Sequence, residues 1–413
     1  MNSQFGYRIF IMLCVFLAFF SGIAAAEETR TFVDDVGREL TIPVDIDAVS
    51  PSGPLAQIVL YSIDPDLFVS ISSEYSDAQL KYIDPRVAAL PVTGQFYGAK
   101  STMNPEEIME INKDLGIDIV LDIGEAKSTM KEDLDKIQEQ TGVTFAFVTQ
   151  DKLSDIPGSY FVLGELLSEE EQGEKLSTYV SDLLSEFDAG MNEIGDDKKS
   201  MIYVTSVDGN SVYLIGSGEN SYHGEVINYI SDNLAPEAIT GSGTGDEYTM
   251  EDILQMNPDY IIVGYDENHE YYDTIVNSPD WQSLEAVQNG NVYEAPYGPY
   301  SWMGGPPSVN RLLSMIWLGN LYYPDVFYYD VDDRIKEYYS LFYHYDLTDD
   351  ELSELMVYAK PDEGSSVEKS TPEGTTAEST TPESGAYANQ SPAPLFALVA
   401  GLGVAFLIKR RSH

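Results

Sequence analysis

The sequence predicts an α/β protein with two similar α/β lobes, whose mainly parallel sheets are joined by one long rigid helix. Short apolar runs alternate with helical patterns along the chain, which is typical of parallel sheets covered by helices. One helix-turn-strand unit occurs twice, at residues 103–121 and 248–263, and each strand runs into a glycine, Gly124 or Gly264. Between the two copies lies a long amphipathic stretch. These observations favour paired lobes connected by a helix.

The connecting helix is predicted over residues 168–194. Ser168 and Glu171 have the spacing of a capping box, so we expect the helix to begin there. At about 1.5 Å per residue it would span roughly 40 Å. An ordinary long surface helix is the competing interpretation of this segment. Its apolar stripe is formed by Leu176, Tyr179, Val180, Leu183, Leu184, Phe187, Met191 and Ile194.

Residues 1–26 have the pattern of a signal peptide. Arg8 precedes an apolar run, and small residues ending at Ala26 provide a cleavage point. The only cysteine, Cys14, lies inside this segment. We therefore expect an exported protein whose mature chain has neither disulfides nor thiolate sites.

The other end of the sequence predicts a surface tether. Residues 360–394 are rich in Ser, Thr, Pro, Glu and Gly, which predicts a disordered stalk. Residues 395–413 combine a short apolar segment with a basic end, and resemble the C-terminal sorting tails of archaeal surface proteins, although the usual Pro-Gly-Phe signature is missing. Cleavage with lipidation and retention as a membrane anchor both stay open. Either fate places the folded part outside the cell, on the outer face of the membrane.

The charge balance excludes one class of partner. The chain has 22 basic and 69 acidic residues and a net charge of −47. Nucleic-acid binding needs a basic face for the phosphates, so we expect no nucleic-acid partner. Such a surface keeps a protein soluble in high salt, and we expect a monomer.

The first lobe is predicted over residues 29–163 and the second over residues 198–346. The strands predicted in the first lobe are residues 47–50, 67–71, 89–92, 117–121 and 143–148. Its predicted helices are residues 54–61, 104–114 and 128–140. The strands predicted in the second lobe are residues 200–204, 260–263 and 292–295, and its helices are residues 222–231, 250–256 and 308–318.

Residues 30–43 (RTFVDDVGRELTIP) and 281–293 (WQSLEAVQNGNVY), with the repeated unit and the connecting helix, resemble the iron-complex and cobalamin substrate-binding proteins of ABC importers. The resemblance covers residues 29–346. It implies a periplasmic binding protein of the helical-backbone class, class III, with a ligand held between the lobes and only modest closure. It also implies a metal chelate as cargo, and an ABC permease with its ATPase as partners.

The cleft of such a fold would be formed by loops at the carboxyl ends of the strands. Glycines let the backbone approach a ligand, and aromatic residues offer broad, stiff faces. The candidate ligand contacts are Ser52, Gly53, Gln95, Phe96, Tyr97 and Glu125 from the first lobe, and Ser217, Glu219, His223, Tyr265, Tyr297, Tyr300, Trp302 and Arg311 from the second.

Several of these side chains have a specific expected role. Arg311, at the start of a predicted helix, is a candidate for holding an anionic group. His223 is a candidate ligand contact or axial metal donor. If Glu125 and Glu219 line the cleft, they should face a cation, a donor or water. The resemblance also implies carboxylates that dock the permease, for which Asp84 and Glu225 are the candidates.

No catalytic motif is present, so we expect a binding protein rather than an enzyme, with no cofactor or metal site of its own. A surface enzyme on the same scaffold and a structural envelope protein stay open as alternatives. Few arginines are available for a highly anionic chelate. Hydroxamate iron, haem or a corrinoid is therefore favoured, with an oxyanion such as molybdate or tungstate as the alternative ligand.

Overall fold

A computed structural model describes residues 28–97, 101–218, 222–240 and 243–361. The predicted signal peptide, most of the stalk, the C-terminal tail and the candidate contact Glu219 lie outside these residues. Within them, no helix has both the length and the apolar character needed to cross a membrane.

The first lobe is built on a parallel sheet in the order β3-β4-β5, beside an antiparallel hairpin of β1 and β2. Its strands are β1 (Thr29–Val33), β2 (Glu39–Pro43), β3 (Val49–Pro51), β4 (Ile119–Gly124) and β5 (Phe145–Thr149). Its helices are α1 (Pro54–Ile63), α2 (Asp77–Leu80), α3 (Pro85–Ala88), α4 (Pro105–Leu115), α5 (Met130–Thr141) and α6 (Ile156–Leu167). Every residue of β4 is buried, as expected of a central strand covered on both faces.

The second lobe contains a larger mixed sheet in the order β11-β10-β6-β7-β9, with β8 paired to β6. Its strands are β6 (Ser200–Asp208), β7 (Ser211–Leu214), β8 (Asp232–Asn233), β9 (Asp246–Thr249), β10 (Tyr260–Val263) and β11 (Val292–Glu294). The strands β6, β10 and β11 are parallel, whereas β7 and β9 are antiparallel to their neighbours. The two sheets confirm the predicted fold class.

The helices α8 (Glu225–Ile230), α9 (Met250–Met256), α10 (Glu270–Asn277), α11 (Glu285–Gln288), α12 (Arg311–Tyr322), α13 (Val331–Tyr343) and α14 (Asp349–Leu355) complete the second lobe. Most predicted helices and strands occur within a few residues of their expected positions. Predicted strands 67–71 and 89–92 were wrong, because these residues form only isolated bridges, Val49 to Phe68 and Ile71 to Val92.

The connecting helix is α7 (Glu170–Ile194), but its predicted capping box is wrong. Ser168 has a φ of 61° and closes the preceding helix α6, and Glu169 precedes α7 without a side-chain cap. The two helices then cross closely, since a Cβ on Gly173 would lie 2.7 Å from the Cα of Gly164. The segment is therefore part of a helical hairpin, which stiffens the connection between the lobes.

Helix α13 of the second lobe packs against helices of the first lobe and the connecting helix. Its Phe342 ring lies 6.0 Å from Tyr160 and 5.6 Å from Tyr179, on helices α6 and α7. His344, directly after α13, contacts the backbone oxygen of Tyr61 on α1 through Nε2 at 3.1 Å. One buried core accordingly runs through both lobes, and this packing favours a cleft that changes little in width.

Candidate ligand-binding cleft

A cavity of about 990 Å³ opens where the first lobe faces the second. Glu125, Asp151 and Lys152 follow the carboxyl ends of β4 and β5 and line it from the first lobe. This is the edge at which open α/β sheets place ligands. The second lobe contributes Ser217, Gly218, Tyr222, Glu225, Asn228, Tyr229, Ser231, Asp232 and Asn233.

Arg311 lies beneath the Tyr222 and Glu225 side of the cavity, buried at the start of α12. Its Nη1 donates to Glu225 Oε2 at 2.7 Å and to the Tyr222 backbone oxygen at 3.2 Å. Its Nε donates to the Ser308 oxygen at 3.2 Å, and its guanidinium lies 4.8 Å from the Tyr222 ring centroid. The partner of this cation is thus a carboxylate of the protein itself. This pairing leaves little support for the expected anion contact.

Two side chains of the second lobe reach across the cleft to the first. Glu225 Oε1 accepts a hydrogen bond from the Leu153 backbone N–H at 3.0 Å. The Tyr222 hydroxyl donates to the Gln150 backbone oxygen at 3.2 Å. Glu225 therefore contacts both lobes, and its two oxygens are engaged inside the cleft. This placement favours a bridging role over the permease-docking role expected for it.

His223 is held against backbone beside Arg311. Its Nδ1 lies 3.3 Å from the Gly304 oxygen, and a Cβ on Gly243 would meet its ring at 2.7 Å. Burial, reinforced by the charge of Arg311, lowers the pKa of His223 below its ordinary value. The ring is therefore a packed group whose neutral form is favoured, and it does not contribute to the cavity lining.

Ser52 belongs to a buried polar pair that the sequence did not reveal. Its hydroxyl donates to Asp122 Oδ1 at 2.5 Å, and both residues are buried at the carboxyl ends of β3 and β4. Asp122 Oδ2 has no hydrogen-bond partner among the described residues. Burial raises the pKa of Asp122 above its ordinary value, which favours a neutral carboxyl at this strand end.

Comparison with known proteins agrees with this architecture. Residues 118–297 match the family profile described as periplasmic binding protein. An ABC transporter solute binding protein from Sulfurospirillum deleyianum superposes with a TM-score of 0.70 at 23% identity, over 79% of this chain and 99% of that one. This chain has the periplasmic binding protein fold.

Two curated proteins of Bacillus subtilis are similar to this chain in sequence. A Fe(3+)-citrate-binding protein is 25% identical over 202 residues, covering 48% of this chain and 58% of that protein. An iron-uptake system-binding protein is 23% identical over 300 residues, covering 71% and 87%. The chain thus spans less than two thirds of the first relative and most of the second.

Within the binding-protein fold, several predicted contacts belong to the lobes' own packing. Phe96 lies 5.8 Å from the core ring of Phe145, and the Tyr97 hydroxyl donates to Asp133 at 3.0 Å. The Gln95 backbone oxygen accepts a hydrogen bond from the Met103 backbone N–H. A Cβ on Gly94, whose φ is +84°, would lie 2.8 Å from the Met103 nitrogen. These residues shape a loop of the first lobe and do not line the cavity.

The predicted aromatic contacts of the second lobe are also outside the cavity lining. Tyr300 and Trp302 are buried, and Trp302 packs edge-on against Trp317 at 6.3 Å. Tyr265 and Tyr297 stack on each other at 4.8 Å, where the strands β10 and β11 end. Gly53, in the first lobe, has an extended backbone and precedes α1. Of the predicted ligand contacts that the structure describes, Glu125 and Ser217 line the cavity directly.

The second docking candidate, Asp84, lies on the first lobe at the start of α3. It accepts from the Arg86 backbone N–H at 2.7 Å and pairs with the Arg86 guanidinium at 2.6 Å. This guanidinium holds the pKa of Asp84 below its ordinary value. Arg86 also pairs with Asp66, so the carboxylate belongs to a small surface network. Its role in docking stays a prediction.

A contact between a carboxyl group and a histidine, missed from the sequence, joins Glu294 at the end of β11 to His269 before α10. The His269 Nδ1 lies 2.9 Å from both Glu294 carboxylate oxygens. Burial raises the pKa of Glu294 to about 7, while the contact with His269 opposes that rise. Tyr358 covers the pair, with its ring 4.6 Å from the imidazole. Only three-dimensional contact brings these residues together.

The described residues contain no cluster of three or more histidine, cysteine or acidic side chains arranged to hold a metal ion. The cleft's chemistry is instead that of carboxylates, tyrosines, amides and backbone groups.

Proposed function

We propose that this protein captures a metal chelate in the interlobe cleft outside the cell and delivers it to the permease of an ABC importer. The observation that supports this proposal most directly is the cavity of about 990 Å³. Residues of both lobes line it, and it lies at the carboxyl ends of strands in the first sheet. A volume of this size accommodates a compact metal complex. The iron-related names of the two Bacillus subtilis relatives support this choice of cargo.

The proposal also includes how the protein would be exported and held outside the cell. Residues 1–26 would direct export, and residues 395–413 would tether the protein to the outer face of the membrane. The stalk, residues 360–394, would then let the folded part reach a permease and its ATPase partner. Export and anchoring rest on the sequence patterns alone.

The test is a thermal-shift panel on the purified protein with ferric hydroxamates, ferric catecholates, haem, cobinamide, cobalamin, molybdate and tungstate. A ligand at 100 times its dissociation constant should stabilise the fold by about 2.7 kcal/mol. A metal-chelate hit supports the proposal. Silence across the panel, with cooperative unfolding retained, would contradict it and favour a structural envelope role.

A matched pair of variants locates the site. Ser217→Trp places a large ring in the cavity wall and should abolish the ligand-induced shift. Ser181→Trp makes the same change on the exposed face of α7 and should leave the shift intact. Equal ligand-induced shifts in the two variants would contradict the cleft as the binding site.

A further inference from the structure

We propose that the cleft selects chelates of net positive charge and discriminates against anionic ones. This inference rests on the proposed function and adds the class of ligand to it. It follows from the signs of the charges that line the cavity and from the way Arg311 is neutralised.

Carboxylates outnumber cations around the cavity. Its lining contains Glu125, Asp151, Glu225 and Asp232 but only Lys152 as a base. Among the described residues, Glu125, Asp151 and Asp232 form no ion pair. No neighbouring base therefore neutralises these three residues, which border the space that a ligand would occupy.

The nearby arginine does not reverse this balance. Arg311 is 2% exposed at its side chain and is paired with Glu225, while its other contacts are backbone oxygens and the Tyr222 ring. An anionic ligand that recruited this guanidinium would have to break a buried pair and leave Glu225 unpaired. Such an exchange is unfavourable, because an unpaired carboxylate in a half-buried site loses hydration without compensation.

The electrostatic field of the whole chain has the same sign as the charges that line the cavity. The chain as a whole carries a net charge of −47, which raises the local concentration of cations and lowers that of anions near the cleft. Charges at an open cavity are partly screened by salt. Each exposed carboxylate should therefore change affinity for a charged ligand by about two- to fivefold.

The test uses three ferric complexes that share one tris-hydroxamate chelator. Ferrioxamine B carries a free ammonium group and is cationic; its N-acetyl derivative is neutral and its N-succinyl derivative is anionic. Dissociation constants are measured by calorimetry with the full chain. We expect the cationic complex to bind most tightly and the anionic one most weakly, with a ratio that shrinks as NaCl is added.

Variants assign the preference to the cavity. Changing both Glu125→Gln and Asp232→Asn should reduce the cationic-to-anionic affinity ratio by at least about tenfold, because each lost charge weakens cation binding and strengthens anion binding. Glu139→Gln removes the same type of charge from an exposed position near the end of α5, which lies toward the amino ends of the first sheet's strands. It should leave the ratio unchanged.

The outcomes separate this inference from the proposed function. Equal binding of the three complexes, or tighter binding of the anionic one, would overturn charge selection while retaining chelate capture. An unchanged ratio in the Glu125 and Asp232 double variant would also overturn it. Binding of none of the three complexes, nor of any chelate in the thermal-shift panel, by a folded protein would overturn the proposed function itself.

Discussion

Two contacts between a basic and an acidic side chain in the second lobe bury opposite partners. At the cleft, the Arg311 side chain is 2% exposed and that of Glu225 is 26% exposed. At the end of β11, the Glu294 side chain is 4% exposed and that of His269 is 32% exposed. The first pair buries a cation that is always charged, whereas the second buries a carboxyl that can take up a proton.

This difference separates a permanent bridge from a titratable contact. Glu225 pairs with the buried Arg311 guanidinium and also accepts a hydrogen bond from the Leu153 backbone N–H of the first lobe. Protonation of Glu294 removes the cost of burying a charged carboxylate, and burial raises the pKa of this group to about 7. We therefore expect the cleft pair to control fold stability and lobe contact, and the β11 pair to control the pH dependence of stability.

The largest expected effect is that of Glu225→Ala. It leaves the buried guanidinium of Arg311 unpaired and removes the contact to Leu153. The free energy of unfolding, measured in urea, should fall by about 3 kcal/mol. Glu225→Gln keeps an acceptor oxygen for only one of the two donors, so it should recover only part of that loss.

A double variant checks that the cost arises from the unpaired charge. Combining Glu225→Ala with Arg311→Met removes both members of the pair and should restore more than half of the lost stability. Additive losses in the double variant would contradict the pairing as the cause.

An intermediate effect is expected at Glu294, and it depends on pH. Burial raises its pKa in the fold from 4.5 to about 7, so between these values the folded state holds a proton that the unfolded state releases. The contribution of this group is fully present below about pH 4.5 and is lost as pH rises through about 7. Glu294→Gln removes the titrating group and should remove this pH dependence of stability. Relative to the parent, the unfolding free energy of the variant should rise by roughly 1–3 kcal/mol between about pH 4.5 and pH 8.

Urea unfolding of the Glu294→Gln variant and the parent at both pH values measures this difference. As a control, His269→Gln removes the imidazole whose contact lowers the Glu294 pKa. That variant should lose stability over a pH range shifted upward. An identical parent-to-variant difference at the two pH values would refute the titration of Glu294.

The smallest effect is expected at the exposed pair of Asp84 and Arg86. Asp84→Asn keeps an oxygen to cap α3 but loses the charge that faces Arg86, whose side chain is 70% exposed. Exposed pairs contribute little, so the melting temperature should change by less than about 2 °C. A larger decrease in melting temperature would show that this exposed pair contributes as much to stability as the buried pairs do. Unchanged uptake in cells would remove Asp84 as a docking residue.

The sequence predicted elements whose signals are local. The apolar stripe of α7, the helices α4 and α9 and the buried strand β10 are each specified by side-chain period and flanking residues. The predicted capping box is wrong because Ser168 ends α6 and does not begin α7. The spacing of Ser168 and Glu171 alone did not reveal this. Strands 67–71 and 89–92 failed because they make single bridges and not ladders.

The site was less predictable because its members meet only in three dimensions. Gly124 correctly marked the end of β4, next to the cavity-lining residue Glu125. However, Tyr300 and Trp302 are buried and Phe96 packs against the core ring of Phe145, because large apolar rings gain most from burial. The residues that line the cavity, such as Asn228 and Asp232, lie on α8 and β8 and carry no motif. Arg311 was identified, but its carboxylate partner was not.

The central claim is that the ligand occupies the cavity between the lobes. Amide hydrogen exchange of the full protein, free and saturated with the chelate that binds it most tightly, tests this most directly. The account predicts slower exchange on both cavity walls, at residues 150–153 and at residues 222–233. Protection confined to one lobe, or to surfaces away from these segments, would contradict it.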